Sequence, residues 1–228
     1  MTTATRPGLN VVVAELAALK TQLRRIYVKW CVSGPTLEAS SALAAMAQEE
    51  AGHARVLARL AGDADPLVDA ERLVAADAVA DWPTLVGHAG PVEVALAAVT
   101  AGLRGVSDPG FQRNIGKIAV EERYHADFFV GCFKELDGLD DPAGELFRKS
   151  RHETEGRVDA WLGSSTELLA GLGVELRDEP NPGSVLDVPC VHCGSIDTRL
   201  LSAFGGSLMT SLIRCNSCGA QFEAIRWR

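Results

Sequence analysis

Glu50 and His53 stand three residues apart in the run Gln48-Glu49-Glu50-Ala51-Gly52-His53, and Glu122 and His125 repeat the spacing. On a helix that spacing sets a carboxylate and an imidazole on one face, about one turn apart. One such pair is ordinary, and a satisfied core or surface residue explains it. Two pairs, each in an apolar helical run, supply four ligands of the kind that hold a carboxylate-bridged dimetal centre inside a four-helix bundle. Such a centre asks for one further carboxylate from each remaining helix. Glu93, the only acid between Asp81 and Asp108, supplies one from among Val92, Val94, Ala95 and Leu96. A carboxylate in so apolar a run is costly to bury without a partner. The N-terminal helix offers Glu15 or nothing. Carboxylate and imidazole together suit iron or manganese, and open positions would admit O₂.

A second metal signature lies near the C-terminus. Cys190-Val191-His192-Cys193-Gly194 and Cys215-Asn216-Ser217-Cys218-Gly219 form two Cys-x-x-Cys-Gly knuckles with 21 residues between them. Four thiolates at this spacing make a closed tetrahedral zinc site, structural and not catalytic. Each trailing glycine permits the tight turn that aims backbone N–H groups at sulfur. Rubredoxin-like iron is the alternative. A tail of about 40 residues buries little core, so its folding should require the metal.

The elements that must position these residues follow from helical periodicity. Val12, Leu16, Leu19, Leu23, Ile26 and Trp30 recur at helical spacing, which predicts a helix over about 10–31 with Asn10 as its N-cap. Val32-Ser33-Gly34-Pro35 breaks it, and Thr36 caps a second helix that runs to about 61, where Gly62-Asp63-Ala64-Asp65-Pro66 stops it. Residues 67–82 read as a connection containing a further short helix. A third bundle helix runs from Pro83 or Pro91 to about 106 and a fourth covers about 110–136. A fifth opens at Asp140-Asp141-Pro142 and ends near 171. The prolines among charged residues from 175 to 188 read as a linker, and β-prone stretches follow. The expected fold class is therefore all-α: a four-helix bundle with a fifth helix over 1–174, a linker over 175–188, and a small zinc ribbon of short β hairpins over 189–228.

Composition narrows the function classes. The chain is 47% hydrophobic and 23% charged, which marks it as globular. Its net charge of −8 speaks against a nucleic-acid or anionic-membrane partner. No apolar run reaches the roughly 20 residues of a membrane span, and no export signal is visible, so the expected location is the cytoplasm. In that compartment paired cysteines read as metal ligands and not as disulfides. His88 is expected in a loop or cap and His152 on the surface. Cys31 and Cys132 are expected to be buried inert thiols, and Trp30, Trp82 and Trp161 to be packing residues.

Trp30-Cys31, Pro35-Thr36-Leu37 and Gln48 to His53 together resemble the ferritin-like oxygenase subunits of bacterial phenylacetyl-CoA epoxidase, both the catalytic di-iron subunit and its iron-free structural paralogue. The resemblance covers roughly residues 12–170. It implies a ferritin-like bundle in which Glu50, His53, Glu93, Glu122 and His125 fall on five of six metal-ligand positions. The sixth, a glutamate in the catalytic subunit, falls on Lys20. Charge arithmetic shows why this departure matters. Two ferrous ions bring +4, and Glu50, Glu93 and Glu122 supply −3. A protonated Lys20 makes the protein's contribution −2, enough for one divalent ion, or for none if salt bridges compensate. Glu15 lies about 140° round the helix from Lys20 and is poorly placed to substitute. Residues 189–228 are similar to the C-terminal zinc ribbon of the small accessory protein of the same epoxidase system, on Pro189-Cys190, Cys193-Gly194-Ser195, Thr198, Leu201-Ser202, Phe204-Gly205, Arg214-Cys215, Cys218 and Phe222.

Two functions follow from that resemblance. In the first, the chain is an oxygenase subunit that inserts oxygen from O₂ into an aromatic or acyl-CoA-type substrate in a phenylacetate-catabolism-like pathway. It then holds one or two iron ions (or manganese), takes electrons from a separate reductase, and uses Lys20 as a proton donor or modifier of the site. In the second, the chain is a non-catalytic scaffold for a partner oxygenase subunit, and Lys20 replaces metal charge. Assembly with oxygenase-subunit partners or as a homo-oligomer is expected in either case.

Overall fold

The computed structural model describes residues 6–171, 188–202 and 210–225. The expected linker at 175–188 falls almost wholly outside these residues, as do the tail through residue 5 and the ribbon positions Phe204 and Gly205. Among the described residues six α-helices come first: α1 Arg6–Trp30, α2 Leu37–Ala61, the short α3 Ala70–Val74, α4 Trp82–Leu103, α5 Pro109–Asp137 and α6 Pro142–Ala170. Three strands follow, β1 Thr198–Ser202, β2 Thr210–Cys215 and β3 Gln221–Ile225, in one antiparallel sheet of order β1-β2-β3. The fold is thus a helical bundle with an additional helix and a small zinc ribbon, the class expected from sequence.

In the bundle α1 lies along α2 and α4 along α5, with α6 packed on α4. The connection from α2 to α4 carries α3 and a 3₁₀ turn at 76–78, and α3 rests on α1. Local chemistry sets the helix boundaries. The Thr36 side chain accepts from the Ala39 N–H at the start of α2, and Gly62, at φ 65°, ends that helix in a backbone region that disfavours residues with a Cβ. Asp81 and Thr84 cap α4 reciprocally. Asp108 and Asp141 accept from the N–H groups of Phe111 and Gly144, each ahead of a proline suited to the first helical turn.

Several expectations need correction. α1 begins at Arg6, so Asn10 lies inside the helix and is not its N-cap. Leu9, Val12 and Val13 are buried, and their packing outweighs a local capping preference. α4 runs unbroken through Pro91, although a proline there removes the donor that would reach the Gly87 carbonyl. α4 is long and apolar enough to cross a membrane by length and composition, but the other helices bury 83% of that window. His88 is not a loop residue: it is buried within α4, with Nδ1 2.9 Å from Thr154 Oγ1 of α6. Cys132 is buried as expected, while Cys31 is only half-buried.

Close packing of α4 fixes the level at which Glu93 enters the core. A Cβ at Gly87 would fall 2.6 Å from the Ser150 Cβ, and one at Gly90 would fall 2.4 Å from the Phe133 ring. The helices can approach this closely only because no side chain intervenes. Gly90→Val should therefore destabilise the protein by about 1–3 kcal/mol through overpacking. Urea unfolding followed by far-UV circular dichroism measures it, and an unchanged midpoint would show that α4 has room to shift.

Candidate metal centre

Four of the five long helices, α1, α2, α4 and α5, each send one charged side chain to a common level: Lys20, Glu50, Glu93 and Glu122, all fully buried. Lys20 Nζ donates to Glu50 Oε1 at 2.9 Å, donates to Glu122 Oε2, and lies 3.7 Å from Glu93 Oε2. The residue that breaks the expected ligand set is therefore the hub of the centre. Burial by itself would strip the ammonium of its proton. The carboxylates of Glu122, Glu50 and Glu93 reverse that and hold Lys20 charged well above the ordinary lysine range. Glu122 is pushed up by burial, but Lys20 and the two histidines outweigh this and hold it below the usual carboxylate range.

Both expected Glu-x-x-His pairs point inward. His125 is fully buried and His53 nearly so. His53 Nε2 lies 2.5 Å from Glu121 Oε2, and its Nδ1 lies 3.0 Å from Glu122 Oε1. His125 Nε2 lies 2.8 Å from Glu49 Oε2, and its Nδ1 lies 3.1 Å from Glu50 Oε1 and 3.5 Å from Glu93 Oε2. The pairing is crossed: the glutamate preceding each motif's own carboxylate steadies the imidazole of the other motif. An outer carboxylate on one ring nitrogen, with the other nitrogen turned to a cluster of oxygens, is how metal-binding histidines are oriented. Burial opposes charge on His53, yet the Glu121 and Glu122 carboxylates beside it raise its pKa to about 9. His125 is raised likewise, against burial, by Glu93, Glu49 and Glu50.

Glu49, Glu121 and Tyr27 were not singled out in the sequence. Tyr27 is fully buried and donates its hydroxyl to Glu93 Oε1 at 2.5 Å. Each left a signal. The glutamate is doubled in both motifs, and Tyr27 lies seven residues after Lys20, two turns along the same face of α1. Glu15 is engaged elsewhere, accepting from Trp161 Nε1 at 3.1 Å and from Ser165 Oγ at 3.3 Å. His152 is exposed.

Glu50, Glu93, Glu122 and His125 each offer one ligand atom within a group whose members lie within 4.8 Å of one another. His53 stands outside that group. The donor chemistry of these four residues fits a transition ion. One carboxylate oxygen on each of Glu50, Glu93 and Glu122 is buried without a hydrogen bond.

The ribbon presents its own ligand set. Cys190, Cys193, Cys215 and Cys218 converge, with Cys190 and Cys218 sulfurs 3.7 Å apart and Cys193 and Cys215 sulfurs 3.6 Å apart. A zinc tetrahedron with Zn–S near 2.3 Å has edges of about 3.8 Å, which matches this spacing. Gly194 and Gly219 adopt φ of 74° and 75°, and the backbone N–H groups of His192 and Cys218 point at the Cys190 and Cys215 sulfurs at 3.4 Å. Ile213 and Phe222, paired across β2 and β3, form the small core behind the knuckles.

Comparison with known proteins agrees with both halves. A family model described as phenylacetic acid catabolic protein matches residues 1–169. One described as PaaD zinc beta ribbon domain matches residues 179–226. No curated protein matches the chain. Lys20→Met, in metal-free protein, should destabilise the bundle by about 3–5 kcal/mol, because it leaves buried carboxylates without their cation. Thermal and urea unfolding measure the loss, and a variant as stable as the parent would show that Lys20 does not hold the centre together.

Proposed function

The chain belongs to the phenylacetic acid catabolic protein family, and from that premise we propose that it is an organising subunit of a phenylacetate-type oxygenase, the O₂ chemistry being carried by a partner subunit. The observation that carries this reading is the Lys20 ammonium among Glu50, Glu93 and Glu122. A dimetal centre of four positive charges is neutralised by four carboxylates, one from each helix. Here α1 contributes a cation, and that cation already engages Glu50 and Glu122, two of the carboxylates that would hold metal. The bundle keeps its shape and charge balance without a pair of ions.

A second reading has one observation in its favour. The crossed Glu49–His125 and Glu121–His53 pairs orient imidazoles as metal ligands are oriented. In that reading the chain itself is the oxygenase, with Glu50, His53, Glu93, Glu122 and His125 holding iron or manganese. Bound there, the metal would supply O₂ reduction. Tyr27 would fix the Glu93 carboxylate, and Lys20 would hold a proton at Nζ beside Glu50 and Glu122. Substrate would be an aromatic acyl thioester, and electrons would come from a separate reductase.

The zinc ribbon fits a docking role in either case. Arg199 and Arg214 face each other across β1 and β2, and both are exposed. Like charges directly opposite weaken a strand pair on their own, so they suit an acidic partner surface. The test is reconstitution with a family subunit that has glutamate where this chain has Lys20. Light scattering coupled to size-exclusion should show a stable mixed complex, and substrate oxidation with reductase should appear only when both subunits are present. Substrate-dependent O₂ consumption by this chain alone with reductase would overturn the organising role.

A further inference from the structure

We infer that the bundle centre is a mixed-cation site: the Lys20 ammonium takes the place of one metal ion, and a single divalent transition ion is held beside it by Glu50, Glu93, Glu122 and His125. This rests on the reading of Lys20 as a fixed cation and not on which partner the chain serves.

The carboxylate oxygens carry the argument. Glu50 gives Oε1 to Lys20 and leaves Oε2 without a hydrogen bond. Glu122 gives Oε2 to Lys20, and its Oε1 faces His53 Nδ1 at 3.0 Å without forming a hydrogen bond. Glu93 gives Oε1 to the Tyr27 hydroxyl, and its Oε2, 3.5 Å from His125 Nδ1 and 3.7 Å from Lys20 Nζ, has no hydrogen bond. All three residues are fully buried. A buried acceptor left without a hydrogen bond is costly, and three of them at one level, beside two imidazole Nδ1 atoms that also lack one, demand an explanation. Bridging carboxylates divide their two oxygens between two cations. Glu50 and Glu122 show that division with an ammonium on one side, and Glu93 adds a terminal oxygen with its other oxygen pinned by Tyr27.

The donor groups then sort themselves. The four-residue group within 4.8 Å contains His125 but not His53, so the full ligand set survives on one side only. His125 can serve through Nδ1 because Glu49 engages Nε2. The charge also closes: three carboxylates supply −3, the ammonium +1 and a divalent ion +2. A second divalent ion would leave the inner cluster with an excess of two positive charges in a fully buried place, and no carboxylate from α1 to meet it. Carboxylate-rich donors with one imidazole favour manganese or ferrous ions over softer metals.

The probe is Mn(II), added to the full-length, zinc-replete chain and followed by desalting, elemental analysis and low-temperature electron paramagnetic resonance. The wild type should retain one manganese beside one zinc per chain and show the hyperfine pattern of an isolated ion. Glu93→Gln should lose the manganese and keep the zinc. Lys20→Glu should retain two manganese ions and show an exchange-coupled signal. Wild type that holds two coupled ions, or none, overturns the proposal, as does manganese retained in Glu93→Gln at the wild-type level. If Lys20→Glu does not fold, the wild-type stoichiometry and Glu93→Gln still decide. The metal count is independent of complex formation. A chain that binds one manganese but no partner subunit sinks the organising role alone, and a chain that joins the partner with no manganese sinks this inference alone.

Discussion

A lysine ammonium buried among three carboxylates is the constraint on which the rest of the bundle depends. Charges are tolerated in a protein interior only when paired and hydrogen-bonded. Lys20 meets that condition with partners from α2, α4 and α5, so these three helices and α1 must meet at one level and in one rotation. Apolar packing alone would allow slippage along the helix axes, since alanine, valine and leucine recur throughout them. The ion cluster removes that freedom. It also limits what the site can do, because a side chain that fixes the fold by its positive charge already engages three carboxylates of the cluster.

Around this hub two features recur in pairs. α1 with α2 and α4 with α5 form equivalent pairs, and Glu49–His125 and Glu121–His53 are equivalent crossed contacts. The symmetry fails at the centre, where Lys20 on α1 answers Glu93 on α4. Tyr27 compensates on the α4 side by binding Glu93 Oε1. The close approach of α4 through Gly87 and Gly90 sets the depth at which Glu93 arrives. The ribbon follows separate logic: few apolar side chains, four thiolates, and two glycines in left-handed turns that let the backbone face sulfur.

Much of this was legible in the sequence because it depends on spacing. Residues three apart on a helix share a face whatever surrounds them, so Glu50 with His53 and Glu122 with His125 could be placed before any tertiary contact was known. Cys-x-x-Cys-Gly is equally local, as are the Thr36 cap and the Gly62 stop. What escaped depends on partners remote in sequence. Asn10 has the chemistry of a cap, but burial of Leu9, Val12 and Val13 carries α1 past it. Pro91 has the chemistry of a helix start, but packing on α5 and α6 lets α4 continue through it. His88 looked like a loop residue because its partner, Thr154, is 66 positions away. The doubled glutamates were visible, but that each steadies the other motif's histidine follows only from how α2 faces α5. Lys20 could be recognised as a departure, while its three carboxylate contacts could not be read from spacing.

The most direct test of the account is the state of Lys20 itself. Nuclear magnetic resonance of protein labelled with ¹⁵N at lysine Nζ reports charge and hydrogen bonding at that atom. The account predicts one lysine resonance with an ammonium shift, slow proton exchange, and couplings to carboxylate carbons, absent from Lys20→Met. A Lys20 resonance with the shift of a neutral amine, or with the fast exchange of a solvent-facing ammonium, would contradict it.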